Sequence, residues 1–417
     1  MTFELLPEGA VPAIAGAELF VWPQKAGSTT TVASGVGAWL DELGSVSHRA
    51  IDLVRIAAGA YMADRRSPRG QGFCRTIELH VQLVDTGPWL EVLDVVAGLL
   101  FWLSGDTWSL SVSSDGVAVP TTTAARPDPV GTVALLSGGL DSFCGAVLSR
   151  AEGRLFLGHW DSPTIKAAQN AIKSWLDSSL DGDFRYEQLR IVQTQKKLES
   201  SARSRSLLFL ALAAAVAESC GAPIVEVPEN GYTTLNPPLG SERGGALSTR
   251  STHPYTLAEF NRVLEALGLA VRITDPYATL TKGQLVGRAL AVGLPDFAGG
   301  VASTLSCGKL DGGRYRGGNP NHNCGLCFPC IVRRGAIAAA GVADETIYLA
   351  NALTGDALRR LYHNRRSDIL AVRRAVLDGF SDETLLAMGP FPLGFDLDQA
   401  ENVCRAGLSE LRGVELE

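Results

Sequence analysis

Apolar and polar positions change their spacing several times along the chain, and each change predicts an element. Leu19 to Trp22 is a short apolar and aromatic run that predicts a strand, and Ala50 to Asp64 spaces its apolar residues as an amphipathic helix does. Thr76 to Val84 alternates as a half-buried strand. Trp89 to Leu103 returns to helical spacing, and Trp108 to Ser113 reads as a strand again. Prolines and threonines crowd the segment from Val119 to Pro129, which predicts a linker. Past it, strands and helices alternate: a strand over Val133 to Leu136, a helix opening at Asp141 and Ser142, a strand over Leu155 to His159 and a helix over Ser162 to Asp177. A strand over Leu189 to Gln193, a long helix over Ser204 to Ser219 and a strand over Ile224 to Val227 continue the series. Such alternation predicts an α/β fold with a doubly wound parallel sheet, whose ligands bind at the carboxyl ends of the strands.

The pattern divides the chain into an N-terminal α+β domain over 1–125 that could bind a partner, a doubly wound domain over 129–300, a cysteine-rich module over 301–337 and a helical tail over 338–417. At 417 residues, with 46% hydrophobic and 19% charged residues, the chain can bury large cores and is not a disordered sequence. The apolar stretches Val95 to Leu103 and Leu207 to Ala217 are too short to span a membrane, so they are expected in cores. No basic, apolar leader precedes the first elements, and the expected location is cytoplasmic. A net charge of −7 argues against nucleic acid as the partner. The basic pairs Arg359-Arg360, Arg365-Arg366 and Arg373-Arg374 lie near Asp368 and Asp378 and predict a solvated helical face.

Two motifs carry chemistry. In TVALLSGGLDSFCGAVL, an apolar strand runs into two glycines and then a helix start, where unpaired backbone N–H groups and the helix dipole suit an anion. No Lys follows the glycines, so this is not a Walker loop. The segment resembles the PP-loop of the ATP pyrophosphatases. That resemblance implies that Ser137, Gly138, Gly139 and Ser142 cradle the pyrophosphate end of ATP, that Asp141 lies near Mg²⁺, and that Leu140 and His159 help to bind the nucleotide.

The second motif is Cys307, Cys324, Cys327 and Cys330, spaced C-x16-C-x2-C-x2-C. Four thiolates within so short a segment suit a closed, structural Zn²⁺ site, with a redox pair as the competing reading and His322 as an alternate ligand. The two motifs together resemble the 7-cyano-7-deazaguanine synthase family, QueC, over roughly Thr132 to Ile337. Arg205 opening SRSLLFLALAAAVA, Pro276 before Thr281-Lys282, Ser306 beside the first cysteine, and Arg333-Arg334-Gly335 after the last extend the agreement.

Three features depart from that family. Ser206 stands where it usually has Asn, its aspartate-rich loop is replaced by ENGYTTLNPPLGSERGGALSTRSTHP, and both end regions are additional. In these respects the chain resembles the longer, QatC-like proteins of bacterial antiphage defence operons. Glu229 and Asn230 at a strand end offer an acceptor and an amide to a guanine-like edge, and Arg250 and His253 could clamp a carboxylate or phosphate. Asn-Pro-Pro and Thr-His-Pro are equally ordinary turn sequences.

The resemblance implies that ATP adenylates a 7-deazaguanine carboxylate. Lys282 and Arg205 would neutralise the departing pyrophosphate, and a nitrogen nucleophile would then attack. With no glutaminase signature in the chain, ammonia or the N-terminal amine of a protein from the same operon would supply the nitrogen. A tRNA-modifying PP-loop enzyme and a decayed ATP-binding scaffold are the alternatives.

Overall fold

The computed structural model describes residues 1–22, 32–34, 46–70, 74–115, 129–150, 153–180, 184–195, 198–199, 202–239 and 250–415. The expected linker lies outside the described residues except for Pro129, as does 240–249 of the replaced loop.

Strands β1 (Thr2–Pro7), β2 (Glu18–Trp22) and β3 (Val32–Ser34) precede helix α1 (His48–Arg66). Strand β4 (Thr76–Leu83), helix α2 (Leu93–Ser104) and strand β5 (Thr107–Ser114) follow. The sheet order is β2-β1-β4-β5 and all three pairings are parallel, so this segment is α/β in its connections where α+β was expected. The αL residue Gly105 ends α2 and returns the chain to β5 beside β4, a right-sized βαβ step. A buried ionic knot ties these elements together: Arg75 reaches Asp64 of α1 and Asp106 before β5, each at 2.5 Å.

Strand β6 (Thr132–Leu135), helix α3 (Leu140–Leu148), strand β7 (Arg154–His159) and helix α4 (Pro163–Ser179) match the predicted alternation. The expected strand at Leu189 to Gln193 is two strands, β8 (Arg185–Leu189) and β9 (Ile191–Gln193), which join different sheets. Next come helix α5 (Arg205–Cys220), strand β10 (Ile224–Glu226), the short helix α6 (Gly231–Leu235), helix α7 (Pro254–Ala266) and strand β11 (Arg272–Thr274). The five-stranded sheet runs β11-β10-β6-β7-β8, and β9 pairs antiparallel with β3. Strand order reverses beside β6, which is the switch point where open α/β sheets place ligands. Ala134, Glu226 and Thr274 are in register on three parallel strands, so the loops that follow them leave from one edge.

The remaining chain is helical: α8 (Lys282–Leu290), α9 (Phe297–Ala302), α10 (Phe328–Ala339), α11 (Leu349–Ala352), α12 (Gly355–Asp378), α13 (Asp382–Met388) and α14 (Leu397–Leu411). No helix among the described residues is long and apolar enough to cross a membrane.

Compactness divides the chain into two units that interleave in sequence. One comprises Met1–Ala134, Glu187–Glu226 and Thr249–Thr274; in it α1 packs against α5 and α2 against α7. The other comprises Leu135–Tyr186, Val227–Ser248 and Asp275–Glu417; in it α10 and α14 pack together and α8 lies against α3.

Gly231 shows how closely the second unit is built, because a Cβ there would sit 2.0 Å from the Ala278 carbonyl oxygen. Gly231→Ala should lower the unfolding free energy by about 1–3 kcal/mol or more. Gly287→Ala, in open space within α8, should raise it by about 1 kcal/mol. Urea unfolding of both variants checks the pair; equal effects would contradict the close approach.

Candidate active site and thiolate cluster

The turn after β6 takes its shape from Gly138, whose φ of +91° few other residues tolerate. Gly139 then opens α3 with no side chain capping it, whereas Ser162, Asn230 and Thr281 cap α4, α6 and α8. The first amides of α3 therefore remain available to an anion. The Ser137 hydroxyl lies 3.3 Å from both the Gly139 N–H and the Ser142 hydroxyl, and Ser142 donates to the Gly139 carbonyl at 3.0 Å.

Behind this turn lies a charged cluster. Asp141 is 5% exposed and its Oδ2 is 2.5 Å from Nζ of Lys282, the first residue of α8. Asn230 donates to the same oxygen at 3.0 Å and to the Thr233 hydroxyl at 2.8 Å, while its Oδ1 accepts from the Thr233 N–H that α6 leaves open. Its amide is thus engaged in holding Asp141 and capping a helix.

Burial favours a neutral Asp141. The Lys282 charge, with hydrogen bonds from Glu229, Lys282 and Asn230, outweighs burial and holds its pKa below the usual carboxylate value. Burial likewise opposes the Lys282 ammonium, and the Asp141 and Glu229 carboxylates outweigh it and hold its pKa high. Glu229 is displaced the other way: burial and the charge of Asp141 push it well above the carboxylate range, which favours its protonated form. No amide, amine or hydroxyl reaches Asp141 Oδ1, which leaves protonated Glu229 or a bound cation to satisfy it. A divalent ion that displaces the Glu229 proton fits that oxygen. Asp275, directly after β11, is raised to about 7 by burial, although the Tyr277 N–H, the Thr234 hydroxyl and the Glu229 N–H donate to it.

These groups line a cavity of about 240 Å³ with Ser137, Gly139, Asp141, Glu229, Lys282 and Ser306 on its wall. Of the predicted site residues, Ser137, Gly139, Leu140, Asp141, Glu229 and Lys282 line this cavity, and Asn230 and Ser142 support it. His159 ends β7 half-buried, its carbonyl accepting from Gln169 at 3.1 Å, and is not in the lining. Arg205, Arg250 and His253 belong to the other compact unit. Arg205 is exposed in the first turn of α5 over the Phe209 ring. Arg250 stacks on Trp102 at 3.8 Å and donates to its carbonyl, and His253 caps α7 by accepting from the Tyr255 N–H.

Asp275, Thr233 and Ser306 were not picked out as site residues. Asp275 had a signal, since an acid directly after a parallel strand sits at the ligand edge.

The four predicted cysteines form a buried cluster whose Sγ atoms all lie within 4.8 Å of one another. Cys307 and Cys327 are 3.8 Å apart and Cys324 and Cys330 3.9 Å, close to the roughly 3.8 Å edge of a tetrahedron built on Zn–S bonds of about 2.3 Å. Four buried cysteines at these distances can hold a zinc ion, and His322, bonded to Asn319, is outside the cluster. The tail reaches this cluster: Arg365 of α12 pairs with Asp311 and directs Nε to Cys324 Sγ at 3.5 Å. Arg365 is 2% exposed, which corrects the expectation of a uniformly solvated basic face, whereas Arg359 and Arg374 are exposed beside Asp356 and Asp378 as that face requires.

No family model and no solved structure matches the chain. It is similar to the 7-cyano-7-deazaguanine synthase of Cupriavidus necator, 26% identical over 245 residues that make up 53% of this chain and 98% of that protein. The protein of the same name from Stenotrophomonas maltophilia (strain K279a) is 28% identical over 52% of this chain and 98% of its own length. That from Anaeromyxobacter sp. (strain Fw109-5) is 31% identical over 35% of this chain and 54% of its own.

Purified protein should carry about one zinc per chain, and Cys327→Ser should lower soluble yield, because closing a four-thiolate shell contributes directly to folding. Elemental analysis that finds folded protein free of metal would contradict this.

Asp275 binds its proton more tightly folded than unfolded. Its contribution to stability is therefore full below about pH 4 and is lost as pH rises to about 7. Asp275→Asn, which keeps an acceptor oxygen, should flatten the fall in stability over that interval. Urea unfolding across the range tests this, and an unchanged slope would refute it.

Proposed function

We propose that this protein uses ATP to adenylate the carboxylate of a 7-deazaguanine-type base, releases pyrophosphate, and joins the activated carbon to nitrogen as the C–O bond to AMP breaks and AMP leaves. The observation that carries the reading is the uncapped start of α3, where Asp141 is locked to Lys282 on the wall of a cavity. Relatives named 7-cyano-7-deazaguanine synthase support the substrate class and the use of ATP.

The residues divide the work. The amides at Gly139 and Leu140, with the Ser137 hydroxyl, receive the pyrophosphate end, and Lys282 neutralises charge that develops on it. Asp141 would hold Mg²⁺ through Oδ1, which no amide, amine or hydroxyl among the described residues reaches, and the ion would screen the phosphate oxygens. Glu229 faces the cavity with a proton and can donate to a base or carboxylate. Positioning and electrostatics carry the rate, and no enzyme nucleophile is required.

The nitrogen comes from ammonia or from the N-terminal amine of a partner protein. At a pKa of about 7.7–8.0, a fair share of such an amine is free base near neutral pH. The region 1–125 is the proposed partner-binding part, and an antiphage operon the proposed setting.

ATP–pyrophosphate exchange with 7-carboxy-7-deazaguanine, and without it, tests the reading. Exchange should depend on the base and be abolished in Asp141→Asn, whose fold should persist. Near wild-type exchange in that variant, or none in the wild type, would overturn it.

A further inference from the structure

Arg333 lies on α10, is 0% exposed, and pairs with no carboxylate among the described residues. Its N–H groups go instead to neutral oxygens: the Thr304 hydroxyl, the Val301 carbonyl at 2.6 Å, the Thr346 hydroxyl at 2.9 Å and the Ser306 hydroxyl at 3.4 Å; Nε has no partner. Neutral oxygens compensate a buried full charge only partly, and an uncompensated one is strongly destabilising. A fold that keeps one has a use for its field.

One of these oxygens belongs to the cavity wall. Ser306 and Val332, the neighbour of Arg333, both line it. Ser306 receives one of the Arg333 N–H groups on its oxygen, so its own hydrogen is free to point elsewhere. Its backbone is fixed because its N–H donates to Asn323 Oδ1 at 2.9 Å. Leu305, one residue before, donates its N–H to the Gly138 carbonyl at 2.8 Å, which seats this segment against the glycine turn. The charge of Arg333 is also felt in α3, where it acts to lower the Cys144 thiol against the larger effect of burial. Arg333 follows Cys330 by one helical turn, so the thiolate cluster anchors the helix that carries it.

We propose that Ser306 and Arg333 form a second anion-binding element of the cavity, beside the glycine turn that opens α3. Ser306 donates its hydroxyl hydrogen to a phosphoryl oxygen of pyrophosphate, and Arg333 is the positioning residue that orients and polarises that hydroxyl. This rests on the ATP-pyrophosphatase reading above and adds a donor to it.

The test is calorimetric titration of the zinc-loaded, full-length protein with inorganic pyrophosphate, and separately with ATP. Ser306→Ala should weaken pyrophosphate binding about tenfold, and Ser306→Thr, which keeps the hydroxyl, should stay within about threefold of wild type. Arg333→Lys should weaken binding in the wild-type background and much less in the Ser306→Ala background, which a merely structural role would not produce. Unchanged affinity in Ser306→Ala, or a full additive loss in the double variant, would overturn the proposal while leaving the ATP reading standing. Failure of the wild type to bind either pyrophosphate or ATP would overturn both.

Discussion

The site depends on one buried ion pair, Asp141 with Lys282 at 2.5 Å. Removing both charges from water is costly, and their attraction compensates only if the geometry is fixed and the remaining lone pairs are used. Three elements fix it. The helix α3 starts one residue before Asp141, the capping box of Thr281 and Gln284 sets Lys282 at the head of α8, and Asn230 donates to the shared oxygen. The tail contributes as well: Glu410 of α14 accepts from the Thr281 hydroxyl and from the Gly283 N–H at 3.1 Å, on either side of Lys282.

Local patterns revealed much of this, because strand, glycine turn and helix are neighbours in sequence. TVALLSGGLDS could be read as a site since every part of it lies within one βα unit, and the cysteines could be read as a cluster because thiolates so spaced have few other uses. Long-range partners were not legible. Nothing near Asp275 in the sequence says that it faces Glu229, and nothing near Arg365 says that it donates to a cysteine 41 positions away. Arg250 and His253, residue types suited to an anion, stack on Trp102 and cap a helix, jobs that no neighbouring residue in the sequence announces.

The thiolate cluster is more than a distant staple. Cys327 is the N-cap of α10 and Cys330 lies in its first turn, so the cysteine cluster is built into the start of the helix whose Phe328, Pro329 and Val332 line the cavity. Arg365 ties the tail to the same cluster through Cys324. Arg365 and Glu410, both from the helical end of the chain, therefore act on the cysteine cluster and on the start of α8.

The central claim is that the start of α3 receives the phosphate chain of ATP with Asp141 and Lys282 as its charged partners. A crystal structure with a non-hydrolysable ATP analogue and Mg²⁺ tests it most directly. The account predicts phosphate oxygens on the amides at Gly139 and Leu140, with the cation on Asp141. An analogue bound away from this turn, with Asp141 still closed on Lys282, would contradict it.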